Sequence, residues 1–434
     1  MKLTWHPHND LMLLINGEAF YPAVLEAVAQ ARSEVLIETF ILFEDPVGLA
    51  LQAALMAAAR RGVRVSLTVD GYGSPEFSPG FIQALTEAGV QLHVFDHQPR
   101  VLGLRLHLIH RLHRKLVVVD AQVAFVGGIN YSQDHLFASG PDSKQDYAVR
   151  VEGPVVADIH ADALNTIAPA LRQRSRRHWI PGWGGLRGPL STAQPTATGF
   201  DPALPVAAFV KRDNALHRND IERCYRAAIR AAQHEVIIAN AYFFPGFRLL
   251  RDLRRAARRG VSVQLILQGK PDLDYVRTAA QLLYRALVKD GVVIYEYCQR
   301  PLHGKVAVID GQWVTVGSSN LDPLSLALNL EANLVAHDPT LAQTLRADLK
   351  QLQANHCTAI DPSQIPRPNM WRYWLGALGF HVSRGFPRWL SGLQPAQVRL
   401  RTYTAGRVVD TAAPVPTSAA APAKGAAVSH QAPA

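Results

Sequence analysis

Long apolar runs are missing from this chain. Every hydrophobic stretch is interrupted by charged or polar residues well before about 18 positions, so none has the length of a membrane-crossing helix. The N-terminus offers only the short apolar stretch LMLLI, too little for the core of a signal peptide, and export by that route is not expected. Cysteine is scarce: Cys224, Cys298 and Cys357 lie far apart, show no CxxC or metal-type spacing, and read as reduced thiols of a cytosol-facing protein. Acid is in deficit, 35 Asp+Glu against 45 Lys+Arg, and the net charge of +10 directs the surface toward polyanions, either nucleic acid or anionic lipid. Charge alone does not choose between them.

What is present is ordinary globular material, 48% hydrophobic and 18% charged, in a chain of 434 residues that exceeds one core and predicts two domains. The chain also repeats itself. SEVLIETFILFEDP is echoed by HEVIIANAYFFPG, AAARRGVRVSLTVDG by RAARRGVSVQLILQG, and EAGVQLHVF by KDGVVIYEY, with Glu34, Gly62 and Gly89 answering Glu235, Gly260 and Gly291. A fourth pair follows in the same order, HRKLVVVD from His113 and HGKVAVID from His303. Each block alternates a β-rich apolar run with a helical pattern ending in arginines and glycine, which implies an α/β fold: two pseudo-twofold-related domains, each a mixed sheet flanked by helices. Between the third and fourth blocks the first half carries about a dozen extra residues, within QPRVLGLRLHLIHRL, read either as a surface segment or as a lipid-contacting flap.

The fourth block carries the chemistry. Alternation along a strand puts His113 and Lys115 on one face, and likewise His303 and Lys305, while LVVV and VAVI read as strands buried on both sides. Asp120 and Asp310 close the strands, and GGIN and GSSN follow, ending at Asn130 and Asn320. Two histidines, two lysines and two asparagines around one cleft suit a tetrahedral anion, the lysines and amides holding phosphate oxygens. One neutral imidazole can attack phosphorus while the other, protonated, donates to the leaving oxygen. HExxH is absent and a lysine stands beside each histidine, so no metal and no cofactor are expected.

The doubled HxKxxxxD with its downstream Gly-x-x-Asn resembles the phospholipase D superfamily over roughly residues 10 to 357. GSSNLDPLSLALNLEANLVAHD, VGGINYS and KQDYAVRVEGP are similar, more narrowly, to the bacterial cardiolipin synthases, and IETFILFEDPVG and DGYGSPEFS to their B type. The resemblance implies one active site between two phospholipase D-like domains, and transfer of a phosphatidyl group from one phosphatidylglycerol to another through a phosphohistidine. It implies His113 as nucleophile and His303 as general acid and then base, although the symmetry of the site leaves that order open. It also implies a carboxylate behind the histidines, for which Asp146 and Glu331 are the candidates, while Asp120 and Asp310 belong to the motif but suit support of the turn. Glu38, matched in the second half by Ala239, reads as structural or as a binder of glycerol hydroxyls. A hydrolase of the same superfamily, acting on lipid or nucleic acid, is the alternative activity.

These readings divide the chain into a first domain over 1–170, a linker over 171–203, a second domain over 204–357, a basic aromatic segment over 358–402 and an Ala/Pro-rich disordered tail over 403–434. Within 364–401, Trp371, Trp374, Phe380, Phe386 and Trp389 accompany six arginines and no acid, the features of a monotopic anchor or of a helix packed on the second domain. Phosphatidylglycerol, other anionic lipids and a membrane surface are the expected partners, with no nucleic acid. The expected location is peripheral, on the cytoplasmic side of a bacterial membrane.

Overall fold

A computed structural model describes residues 3–74, 76–96, 111–177, 205–269, 283–361, 363 and 397–414. Most of the basic stretch before the first motif, most of the linker and all of residues 364–396, with the aromatic residues of the expected anchor, therefore lie outside the described residues.

The first half runs β1 (His6–Pro7), β2 (Asp10–Ile15), α1 (Asn16–Gln30), β3 (Glu34–Thr39), α2 (Pro46–Arg60), β4 (Arg64–Asp70), α3 (Pro79–Glu87), β5 (Gln91–Phe95), β6 (Lys115–Val119), β7 (Val123–Gly127), β8 (Tyr147–Glu152) and α4 (Val156–Arg177). The second runs β9 (Val206–Arg212), α5 (Asp220–Ala231), β10 (Glu235–Asn240), α6 (Phe247–Arg258), β11 (Ser262–Gln268), β12 (Val293–Tyr297), β13 (Lys305–Ile309), β14 (Trp313–Gly317), α7 (Pro323–Ala327), β15 (Glu331–His337), α8 (Pro339–His356) and β16 (Cys357–Ala359). The repeat blocks become equivalent strands: β5-β4-β3-β6-β7-β8-β2 in one sheet stand in the same order as β12-β11-β10-β13-β14-β15-β9 in the other. In each sheet three strands are parallel and the motif strand, β6 or β13, lies antiparallel beside the first of them.

Local chemistry marks the element ends. Asp45, Ser78 and Asp338 cap α2, α3 and α8, each followed by a proline whose missing N–H costs nothing in the first turn. Gly62 and Gly260 end α2 and α6 at φ of 90° and 93°, a left-handed conformation in which a side chain would be strained. The core is shared. Leu116, Val118, Val126 and Val149 of the first sheet belong to one buried cluster with Val306, Val308, Val316 and Leu334 of the second.

The chain ends cross between the halves. β1 pairs with β9 at the edge of the second sheet. At the other end β17 (Gln397–Thr404) pairs with β5 of the first sheet and with β18 (Arg407–Pro414). The expected tail from 403 is thus corrected: its first residues complete a β-hairpin. QVRLRTYT and RVVDTAAP bury Leu400, Thr402 and Thr411, and Gly406 makes the turn at φ 69°. Composition hid this strand because its apolar residues are small and few.

Candidate active site

Each motif strand begins at the seam between the halves, where its entry is clamped by matched hydrogen bonds. In the first half the Leu112 N–H donates to Asp70 Oδ2 (2.8 Å), the Arg111 carbonyl accepts from the Leu330 N–H (2.8 Å), and the His113 N–H donates to the Leu330 carbonyl (3.0 Å). In the second the Leu302 N–H donates to Gln268 Oε1 (2.6 Å), the Pro301 carbonyl accepts from the Gln145 N–H (2.9 Å), and the His303 N–H donates to the Gln145 carbonyl (2.8 Å). Each histidine is therefore pinned by backbone from the opposite half. Asp70 and Gln268 were not singled out by sequence, although both close the same repeat block, LTVDG and LILQG.

The carboxylates cross as well. His113 Nδ1 lies 3.0 and 3.1 Å from the two oxygens of Glu331, and His303 Nδ1 lies 2.6 Å from Asp146 Oδ2. Both carboxylates are fully buried, whereas the imidazoles keep 12% and 17% of their side-chain surface exposed, so each histidine retains an edge toward the cleft. A buried carboxylate accepting from Nδ1–H leaves Nε2 as the ring's lone-pair nitrogen. Lys115 and Lys305 fold back to donate to the carbonyls of His113 and His303. His113 also stands edge-on to Phe40, 4.8 Å between ring centres.

Electrostatics set the resting state. Burial pushes His113 down to about 4, aided by Lys115 and Lys305 and opposed by Glu331. Burial and the lysines push His303 well below its ordinary value. Both imidazoles are thus neutral at pH 7. Burial also lowers Lys115 to about 7 and Lys305 to about 8, with Glu331 and Asp146 opposing. Burial would raise Glu331, but His113 and Lys115 hold it below the usual range, whereas for Asp146 burial outweighs Lys305 and the carboxyl sits above it.

The two dyads differ in their surroundings. Glu331 also accepts from the Ser318 hydroxyl and from Asn329 Nδ2 (3.5 Å). Asp146 instead accepts the Tyr147 N–H (2.9 Å) and lies 3.8 Å from Nδ1 of His135, whose ring meets His303 edge-on at 5.5 Å. Sequence reasoning missed this third histidine, which no motif spacing marks. His135, Asp146 and His303 bring ligand-type atoms within 4.8 Å of one another. Lys144 and Lys305 act on the same cluster, which favours an anion there over a cation.

The remaining expected residues fall in two places. Asn130 and Asn320 are buried at the ends of the turns after β7 and β14. Asn130 Oδ1 accepts from Ile41 N–H (3.2 Å), while Asn320 Oδ1 is buried without a hydrogen bond among the described residues. Asp120 and Asp310 lie at the far ends of β6 and β13 from the histidines. There they take φ of 52° and accept backbone N–H bonds from residues 32–34 and 233–235 at 2.7–2.8 Å. They lock the motif strand to the start of its neighbour. Glu38 pairs with Arg114, which also bonds Asp162 and Thr166, and Lys211 of the second half reaches Asp162 at 2.6 Å, so Glu38 is committed to a buried ionic network.

The family described as "Cardiolipin synthase, PLD-like domain" matches residues 24–167 and 225–353. Cardiolipin synthase B of Salmonella typhi is 52% identical over 399 residues, covering 91% of this chain and 92% of that protein. Cardiolipin synthase B of Escherichia coli K12 is 49% identical over 398 residues, with the same coverage of 91% and 92%. Among solved structures, phosphatidylserine synthase of Haemophilus influenzae Rd KW20 aligns with a TM-score of 0.64 at 12% identity, covering 90% of this chain and 96% of that one, and so shares the fold.

Proposed function

Because the chain belongs to the cardiolipin synthase family with phospholipase D-like domains, we propose that its two motifs form one site for phosphatidyl transfer between phosphatidylglycerol molecules. The protein is an enzyme of the phosphatidyltransferase type, a cardiolipin synthase by kinship with relatives about half identical over most of their length. The observation that best supports a shared site is the crossed pairing of His113 with Glu331 and of His303 with Asp146, since neither half then holds a complete dyad.

In this reading His113 Nε2 attacks the phosphorus of phosphatidylglycerol, a P–N bond forms as the P–O bond to glycerol breaks, and His303 gives its proton to the departing glycerol oxygen. A hydroxyl of the second phosphatidylglycerol then loses its proton to His303 and displaces His113, giving cardiolipin. Lys115, Lys305 and the amides of Asn130 and Asn320 hold the nonbridging oxygens as charge builds on them. The arriving phosphate monoanion offsets the lysine repulsion on both imidazoles, so the proton that His303 delivers is taken up with the substrate. Glu331 and Asp146 hold the rings and tautomers.

The lipid substrates place the enzyme at a bilayer surface, and we assign it to the cytoplasmic side of the membrane. No helix among the described residues is long and apolar enough to cross a membrane, which agrees with peripheral attachment. The test is incubation of purified protein with headgroup-labelled phosphatidylglycerol in vesicles. Cardiolipin and free glycerol are expected, with no product from His113→Ala. Phosphatidate as the sole lipid product would overturn transfer in favour of hydrolysis.

A further inference from the structure

Among the described residues, the exposed aromatic rings are confined to one end of the two sheets. Phe43 and Tyr72 follow β3 and β4, Phe137 lies between β7 and β8, and Tyr242 and Phe247 follow β10, with exposures from 36% to 60%. All of these connections leave the strand ends at which the motif histidines sit. Leu216, 63% exposed, joins them after β9, and Leu49 lies in the first turn of α2 at the same end, whereas the exposed aliphatic residues Met12, Val293 and Val408 lie on strands away from it.

Cations accompany the rings. The Arg111 guanidinium stands 4.0 Å over Tyr72, Arg300 stands 5.1 Å over Phe137, and Arg251 stands 5.9 Å over Phe247. The other cation–ring contacts among the described residues, Arg111 and Lys115 over Phe40, lie inward of the rim beside His113. An aromatic ring seats at the headgroup level of a bilayer, where its apolar body and polar surroundings are both accommodated, and an arginine stacked on it can still donate to lipid phosphate.

We infer that the catalytic face is itself the membrane-docking surface, its ring of aromatic–arginine pairs seating on a bilayer that carries anionic headgroups. The inference rests on the lipid-transfer reading of the same site and adds how substrate arrives. A phosphate held at the bilayer surface enters directly between the histidines while its acyl chains stay in the membrane, so no lipid has to be extracted. Net charge of +10 complements an anionic surface.

The test is sedimentation of the full chain with vesicles of equal parts phosphatidylglycerol and phosphatidylcholine. The rim variant Phe137→Ser/Phe247→Ser is expected to lose at least about tenfold in partitioning, as removal of two interfacial rings predicts. The control variant Val293→Ser/Val408→Ser, comparably exposed but off the rim, is expected to partition like the wild type. Arg251→Glu is expected to weaken binding more at low salt than at high salt. Turnover on vesicles relative to turnover on short-chain phosphatidylglycerol dissolved as monomers is expected to fall in the rim variant. Equal sedimentation of rim variant and wild type, or an equal loss in the control, would overturn the inference. Wild-type protein that binds these vesicles through the rim but forms no cardiolipin would instead undo the catalytic reading and leave the docking surface standing.

Discussion

Replacing Glu331 by Gln keeps the shape of a fully buried side chain and removes the charge behind His113. The carboxylate now accepts the Nδ1 proton at 3.0 Å while also accepting from Ser318 and Asn329. A hydrogen bond to a charged group contributes about 1.5–3 kcal/mol, and about 1.4 kcal/mol is a factor of ten in rate. Loss of that contribution alone slows attack by about ten- to a hundredfold. The amide can also turn its NH₂ toward Nδ1, which moves the ring proton to Nε2 and abolishes the lone pair needed for attack, so the loss should reach or exceed the upper figure. Acid quenching of enzyme mixed with acyl-labelled phosphatidylglycerol should show the phosphatidyl-enzyme forming correspondingly late. In ¹⁵N-histidine spectra the Nδ1 proton of His113 should vanish in Glu331→Gln and that of His303 in Asp146→Asn. If Glu331→Gln instead removed the His303 signal, or left the rate of intermediate formation unchanged, the crossed pairing would be refuted.

Three further outcomes are expected. Lysines hold phosphate only when protonated, so with Lys115 near 7 and Lys305 near 8, kcat/KM should decline as pH rises through that window; a pH profile of Lys115→Arg should carry its alkaline limb to higher pH. Asp120→Ala or Asp310→Ala removes an acceptor of backbone N–H groups at the base of a motif strand and should cost about 1–2 kcal/mol in urea unfolding, with the phosphatidyl-enzyme still trapped. Arg114→Leu strands Glu38 in the core, leaves Asp162 with Lys211 alone, and should destabilise by about 3–5 kcal/mol, visible as a fall in thermal midpoint that Glu38→Gln/Arg114→Leu partly restores.

Local pattern carried much of this molecule. The four repeat blocks read from Glu34/Glu235 through His113/His303 are equivalent strands in two sheets of one order, and the uninterrupted LVVV and VAVI are buried throughout. Asp120 and Asp310 accept backbone N–H bonds at the far ends of the motif strands, and Glu38 sits in an ionic network with Arg114. What sequence could not supply was partnership across long separations. Nothing local tells whether Glu331 serves His303, which lies near it in sequence, or His113, which lies far away; the seam between the sheets decides for His113. His135 was invisible because its neighbourhood is set by the fold of one turn. β1 and β17 found their partners in the opposite half because sheet edges accept any strand of suitable register, a choice that composition does not record.

The crossed chain ends have a mechanical consequence. The first strand closes the edge of the second sheet, and the last hairpin closes the edge of the first, over a core that both sheets share. The covalent path through residues 178–204 is therefore a redundant tether: with both termini interlocked, each half stays at a very high effective concentration relative to the other. A single nick in that path would leave one non-covalent molecule with each histidine still facing its carboxylate. Prying the halves apart would have to tear β1 from β9, because only residues 8 and 9 separate β1 from β2 of the first sheet.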